Sequence, residues 1–420
     1  MVGIWLLVPE HLRLGTWDLL QGWTRRPGPA VEPRLALQLV HEAALCVTGV
    51  RESRSLSQKG FELAHGLPFV ATDQAIHELL DAHTIADAQA LQVVLGQIRR
   101  ACGHYTGRLL AIDPHHILTY TQRQTRRHRH RGNETPVKTL QTFFCLDSDT
   151  GQPLAFTTGS SARTVTQGTP GLLDLVAAIL QPQPGETIVL ADKEHFSVEL
   201  FRHVTEKTPF TLVTPLPNTR EHRTRMERIP PDAFTPRWAG LATAQLPFQF
   251  AHADIPSLYQ IVQRCGEQPQ EYQFQGFVST RDCDEVQLLT QDYPKRWHVE
   301  EFFHANQALG WNRAGTLNLH IRYGQMTLAL LAQAAIHQLR QRLGHPFSEW
   351  DAAHLAQSLF QGLDGDLRVM QDTIVVTFYN APNAEHLRQH YEHLPEKLSN
   401  EHINPHIPWL YDFKLDFRFR

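Results

Sequence analysis

Three acids carry the chemistry that this sequence could perform. Asp113 closes the short apolar run of RLLAIDPHHI (108–117), Asp192 closes that of ETIVLADKEHF (186–196), and Glu300 lies in YPKRWHVEEFFHANQALGW (293–311). Parallel strands of an open α/β sheet end on one edge, and ligands bind there. Carboxylates gathered at such an edge repel one another, so the arrangement makes sense around a hard cation, for which oxygen ligands suit Mg²⁺ or Mn²⁺. Otherwise Asp113 and Asp192 are separate acids capping the loops that follow them. The segment 293–311 places Tyr293, Arg296 and Glu300 at i, i+3 and i+7, along one face of a helix. Glu300 can then face the sheet edge while Tyr293 and Arg296 line the same groove; Glu301 lies about 100° round the helix and points elsewhere. The plainer alternative is a surface helix with an Arg296–Glu300 ion pair. His115 and His116 directly follow Asp113, but neighbouring strand residues point to opposite faces, so at most one could join it. That disfavours a zinc hydrolase, whose histidines come from helical i, i+4 pairs or separate strands.

These residues need elements to hold them. The 420 residues favour several domains. Residues 1–105 read as helical, with candidates at 11–23, 33–47, 53–65, 73–82 and 85–100; the last two suit a helix-turn-helix-like pair, or simply a small bundle. From 106 the pattern changes to strands at 108–117 and on both sides of Asp149-Thr150-Gly151, a helix over 170–186, a strand before Asp192, a helix at 197–208 and a strand at 209–217. Three strands, then helix, strand, helix, strand describes an α/β layout with one mixed sheet. Residues 218–290 read as a β-rich insertion. Helices resume at 293–310 and about 320–343, followed by a helix at 347–360, a strand pair within 366–379, a helix at 383–394 and an alternating strand over 409–419.

Asp113, Asp192 and a helix reading Tyr293-x2-Arg296-x3-Glu300 resemble the DDE transposases of bacterial insertion sequences. The match is to the insertion-sequence-four-type subgroup, whose motif continues x6-Lys; this chain has Gln307 at the Lys position. The resemblance covers roughly 106–345. It implies a ribonuclease-H-like core in two parts, 106–217 and 291–345, interrupted by the insertion at 218–290. A helical domain, 1–105, would bind DNA ends, and an α+β region, 346–420, would serve assembly. It implies cut-and-paste transposition by two-metal phosphoryl transfer, with Mg²⁺ or Mn²⁺ held two per site by Asp113, Asp192 and Glu300. It further implies double-stranded DNA as partner (terminal inverted repeats and target DNA), a homodimer, and Tyr293, Arg296 and Gln307 as DNA contacts; Gln307 supplies a hydrogen bond but no charge. A catalytically silent relative that only binds DNA, and a hydrolytic nuclease of the same fold, are the alternatives.

Charge and composition bear on the partner. Lys and Arg total 39 against 43 for Asp and Glu, a net charge of −4, which argues against a polybasic binder but not against a local basic surface. Arg123, Arg126, Arg127, Arg129 and Arg131 form such a run without an acid, and Arg220, Arg223, Arg225 and Arg228 form a second, diluted by Glu221 and Glu227. Arginines in clusters suit phosphates. Trp238, beside Arg237, is a candidate base-stacking residue, because related transposases hold a flipped base on an insertion-domain aromatic; core packing is its other reading. The five cysteines are far apart with no C-x-x-C pair, as in reduced cytoplasmic proteins. The opening MVGIWLLVPEHL lacks a cationic segment and its apolar run is short for a signal peptide, and MTLALLAQAAIHQL (326–339) is interrupted by Gln333, His337 and Gln338. A cytoplasmic protein with no membrane partner is expected.

Overall fold

A computed structural model describes residues 1–25, 31–47, 59–119, 127–128, 135–159, 164–311 and 316–420. The chain divides into two units: residues 1–99, 118–122 and 303–420 form the first, residues 100–117 and 123–302 the second. The first opens with helices α1 (Val8–Arg13), α2 (Thr16–Thr24), α3 (Val31–Ala44), α4 (Lys59–Ala64), α5 (Asp73–Asp81) and α6 (Ile85–Ala101). The single helix expected over 11–23 is broken in two. Gly15 takes φ +60, a left-handed conformation free of Cβ strain only for glycine, and starts α2 in a new direction. Of the helix expected at 53–65, residues 53–58 lie outside the described residues.

Apart from the two-residue β2, the second unit follows the expected order: β1 (Leu109–Leu118), β2 (Arg127–His128), β3 (Val137–Asp147), β4 (Gln152–Gly159), α7 (Val165–Leu180), β5 (Ile188–Leu190), α8 (Val198–Lys207) and β6 (Thr211–Pro215). α7 starts five residues earlier than its prolines suggest, because Thr164 and Gln167 build a reciprocal capping box that tolerates Pro170 in the second turn. Residues 218–290 contain α9 (Arg220–Glu227), β7 (Thr235–Trp238), β8 (Leu241–Phe250), β9 (Ala253–Cys265) and β10 (Gln273–Ser279). These strands do not form a sheet of their own. β10 pairs antiparallel with β6, so one sheet runs β4-β3-β1-β5-β6-β10-β9-β8-β7, with β2 also on β3. β5 runs parallel to both β1 and β6. Leu109, Leu190, Val213, Ile261, Phe277 and Leu288 pack into one cluster across it.

α10 (His298–Asn306) crosses from the second unit back to the first, which then contains α11 (Leu319–Leu343). α11 is buried on most of its circumference, as a core helix must be when apolar residues surround it. Among the described residues no helix is long and apolar enough to cross a membrane. The helix expected at 347–360 forms in two parts, a 3₁₀ turn over Phe347–Glu349 and then a helix that is α over Ala352–Leu355 and π over Ala356–Gln361. β11 (Gly365–Met370), β12 (Thr373–Phe378) and β13 (Lys414–Phe419) form a separate small sheet, and α12 (Ala384–Tyr391) and α13 (Leu394–Asn400) lie between its last two strands in sequence. The break between these helices falls at His393, with φ +57. The final strand starts at Lys414, not near 409, because Tyr411 and Asp412 take positive φ and interrupt the alternation.

Candidate active site

The register of β1 on β5 decides where the two aspartates stand. Ala111 pairs with Leu190, the last pair of the ladder. Asp113 and Asp192 each lie two residues further on, so they leave the parallel pair at the same height and on the same side. Asp113 does not end its strand, since β1 continues to Leu118, but β5 stops beside it and leaves it at an open edge. Asp192 caps a 3₁₀ turn, Lys193–His195, and its Oδ1 accepts hydrogen bonds from the Glu194 N–H and the His195 Nδ1, both at 2.9 Å.

The motif from Tyr293 to Glu300 is not one α-helix. Tyr293–Trp297 is a 3₁₀ turn with Pro294 near its start, and α10 begins at His298. A 3₁₀ turn brings i and i+3 into line, and an α-turn brings i and i+4 onto one face, so spacings of three and then four keep Tyr293, Arg296 and Glu300 together. Tyr293 packs edge-on against Phe277, and its hydroxyl donates to the Ala191 carbonyl at 3.3 Å. Arg296 stands between acids from two elements. One guanidinium nitrogen is 3.9 Å from Asp113 Oδ1, and the other donates to Glu300 Oε1 at 3.4 Å.

This packing sets the charge states. Burial, then the charge of Asp192, push the Asp113 carboxyl up to about 7; Arg296 opposes them, and Glu300 and Glu194 add to the rise. Burial also acts upward on Asp192, but the His195 hydrogen bond and its other donors outweigh it and hold this carboxyl below the usual range. Burial lifts the Tyr293 phenol to about 12, so it remains a neutral donor. Asp113, Asp192, Glu300, Tyr293 and Arg296 thus share one neighbourhood. Among the described residues, however, no three His, Cys, Asp or Glu side chains are grouped closely enough to hold one metal ion as they stand. Like charges repel, and Arg296 supplies positive charge between Asp113 and Glu300.

Other site residues fall elsewhere. Arg123, Arg126, Arg129 and Arg131 lie outside the described residues; Arg127 is exposed on β2, paired with Lys138. Arg237 is engaged by Glu285 at 2.7 Å and Thr243 at 2.8 Å, so its guanidinium builds the sheet's flank. Trp238 is 53% exposed on edge strand β7 and so is not a core residue. Gln307 is exposed in a 3₁₀ turn of the first unit.

Sequence reasoning missed the groups that hold the motif. Asp149 receives Lys295 at 2.6 Å and Arg108 at 3.0 Å, and Arg108 also reaches Asp292 at 2.9 Å. Burial raises the Asp149 carboxyl, but Lys295 and Arg108 outweigh it and lower it overall. His298 Nδ1 lies 2.7 Å from the Ser148 carbonyl oxygen. The hairpin turn thereby clamps both sides of Arg296. His195 was detectable in principle as an imidazole three residues after an edge aspartate.

The transposase DDE domain family matches residues 104–334, more than half of the chain and the whole of this site. The chain belongs to that family. This DDE transposase also resembles a solved structure, the piggyBac transposase synaptic complex with hairpin DNA, at 13% identity and TM-score 0.44, over 85% of this chain and 79% of that one. No curated protein matches the transposase chain.

Proposed function

We propose that the protein cuts DNA at the ends of an insertion sequence and joins those ends to target DNA. The observation that carries this reading is the Ala111–Leu190 register, which sets Asp113 and Asp192 side by side opposite Arg296 and Glu300. The sheet order β4-β3-β1-β5-β6 with its flanking helices supports a ribonuclease-H-like core, extended by 218–290. Asp113, Asp192 and Glu300 would hold Mg²⁺ or Mn²⁺, two ions per site; their all-oxygen chemistry fits. A buried carboxyl at about 7 beside two other acids is a group that a hard cation would keep ionised. When bound, the ions would activate the attacking oxygen and stabilise the leaving one.

The chain's own groups do the rest. His195 orients Asp192 through Oδ1, which leaves the other carboxylate oxygen for a ligand. Arg296, charged and two-pronged, would exchange its acids for a DNA phosphate, and the neutral Tyr293 hydroxyl would donate a hydrogen bond beside it. Residues 1–105 would bind terminal inverted repeats, 346–420 would serve dimer assembly, and Gln307 and Arg127 would add DNA contacts, in a cytoplasmic protein.

Incubation with the DNA flanking the reading frame, in Mg²⁺ or Mn²⁺, tests this. End cleavage followed by a joined product is expected. Cleavage without joining would mark a hydrolytic nuclease, and binding without cleavage a silent relative. In the same assay Asp149→Ala releases Lys295 and Arg108, and the cleavage rate should fall about 10- to 100-fold, as for groups that support ligands from behind. An unchanged rate would mean that the clamp does not position Arg296 and Glu300.

A further inference from the structure

We propose that α9 presents a second DNA-backbone site, a groove lined by Arg220, Thr224, Arg225, Arg228 and Glu221. This rests on the DNA-processing reading above and adds to it a surface outside the carboxylate site. Three other guanidiniums of this unit are paired with acids: Arg108 with Asp149 and Asp292, Arg237 with Glu285, Arg296 with Asp113 and Glu300. Arg220, Arg225 and Arg228 differ. All three are exposed, and among the described residues none has a carboxylate at ion-pair distance. The groove therefore sets three guanidiniums against one carboxylate, Glu221, and no acid at ion-pair distance neutralises any of the three.

The shape argues for an extended anion. Arg220, Thr224 and Arg228 follow one another at four-residue intervals, and Arg228 keeps helical dihedrals at the C-cap. At 1.5 Å per residue this row is about 12 Å long, more than a single phosphate spans and suited to consecutive phosphates of one strand. The opposite face of α9 fixes the row. Met226 is buried with Phe234 and Val262, and His222 lies 2.8 Å from the Pro217 carbonyl oxygen. His222 and Phe248 both pack edge-on against Phe196, and Arg225 stacks over Phe248. Phe196 is the residue that ends the Asp192 turn. The groove is thus rooted on the same aromatic cluster as the catalytic edge, which lets one duplex engage both.

The test uses the full chain and a 40-bp duplex of arbitrary sequence, with affinity followed by fluorescence anisotropy across a KCl series. Arg220→Gln/Arg228→Gln keeps Arg225 on Phe248, and an unchanged thermal melt shows that the fold persists. Each lost phosphate contact removes about 0.9 from the slope of log affinity against log salt, so the double variant should lose about 2. Arg368→Gln, on an exposed strand of the first unit, should keep the original slope. A slope unchanged in the double variant overturns the groove and leaves the carboxylate site untouched. Poly-glutamate competing as well per charge as the duplex, and lost equally in the double variant, overturns the assignment to nucleic acid in favour of an acidic protein face. Failure of the unsubstituted chain to bind any duplex overturns the DNA-processing reading as well.

Discussion

Asp113→Asn should abolish metal-dependent cleavage and, in the same molecule, stabilise the metal-free fold at alkaline pH. The loss of activity is expected to reach about 10³-fold or more, on the order of 4 kcal/mol of transition-state stabilisation, because the amide carries no charge for the cations. The gain in stability follows from the carboxyl at about 7, against 3.8 for an ordinary aspartate. Below pH 3.8 the group is protonated in both folded and unfolded chains and exerts no penalty. As pH rises toward 7 only the unfolded chain ionises, so folding loses stability, and above 7 the full cost is present. That cost has a ceiling of ~4 kcal/mol, reduced by solvent because a fifth of the side chain is exposed. Urea unfolding in EDTA should therefore show the variant ahead of the parent at pH 8, with the difference shrinking toward pH 5. Equal or lower stability of the variant at pH 8 would refute the account, and cleavage retained by the variant would remove Asp113 from the reaction.

The first unit should weaken in acid, for the opposite reason. His11, His41 and His65 are fully buried. The rings of His11 and His41 have centroids 5.2 Å apart, and those of His41 and His65 6.1 Å. Burial pushes His11 and His65 down to about 3, and pushes His41 well below the ordinary range with help from its two neighbours. An unfolded histidine takes up a proton near 6.5, so between there and about 3 the unfolded chain binds protons that the folded one refuses. Stability is whole above pH 6.5 and is lost as pH falls. At pH 5, His11 and His65 each contribute ~2 kcal/mol to that loss. Burial also raises the Glu42 carboxyl, in the same unit, to about 7, which opposes the histidines over this range, so unfolding followed by helical signal at pH 7.5 and pH 5 in an Asp113→Asn/Glu42→Gln background checks the sign. His41→Leu should make the profile less steep without abolishing it, because His11 and His65 remain; a profile flat in the parent would dismiss the effect.

What was readable in advance follows from the range of each interaction. β1, β3–β6, α7 and α8 were legible because periodicity and turn residues act within a few positions, and the two aspartates stood out because acids follow apolar runs. The Tyr-Arg-Glu spacing was legible as one face, but its 3₁₀-then-α geometry was not, since Pro294 and the Lys295–Asp149 bond impose it from outside the segment. Asp149 read only as a turn residue for the same reason: its partners Lys295 and Arg108 are 146 and 41 positions away. The strands of 218–290 were visible, whereas their continuity with the sheet that carries Asp113 depends on β10 meeting β6 across the intervening chain. Gly15 and His393 broke helices through backbone conformations that hydrophobic pattern does not encode.

The order of the sheet also has a consequence in time. β1 and β5 complete their ladder with residues up to 190, but Arg296 and Glu300 are made only after the β10 strand that extends the sheet. At roughly 5–20 residues per second, translation from Asp192 to Arg296 takes on the order of 5–20 s. During that interval a nascent chain contains both aspartates and lacks the arginine that stands against one of them. The last of the three acids to leave the ribosome is Glu300, so a product truncated before it carries an acidic edge without its third carboxylate.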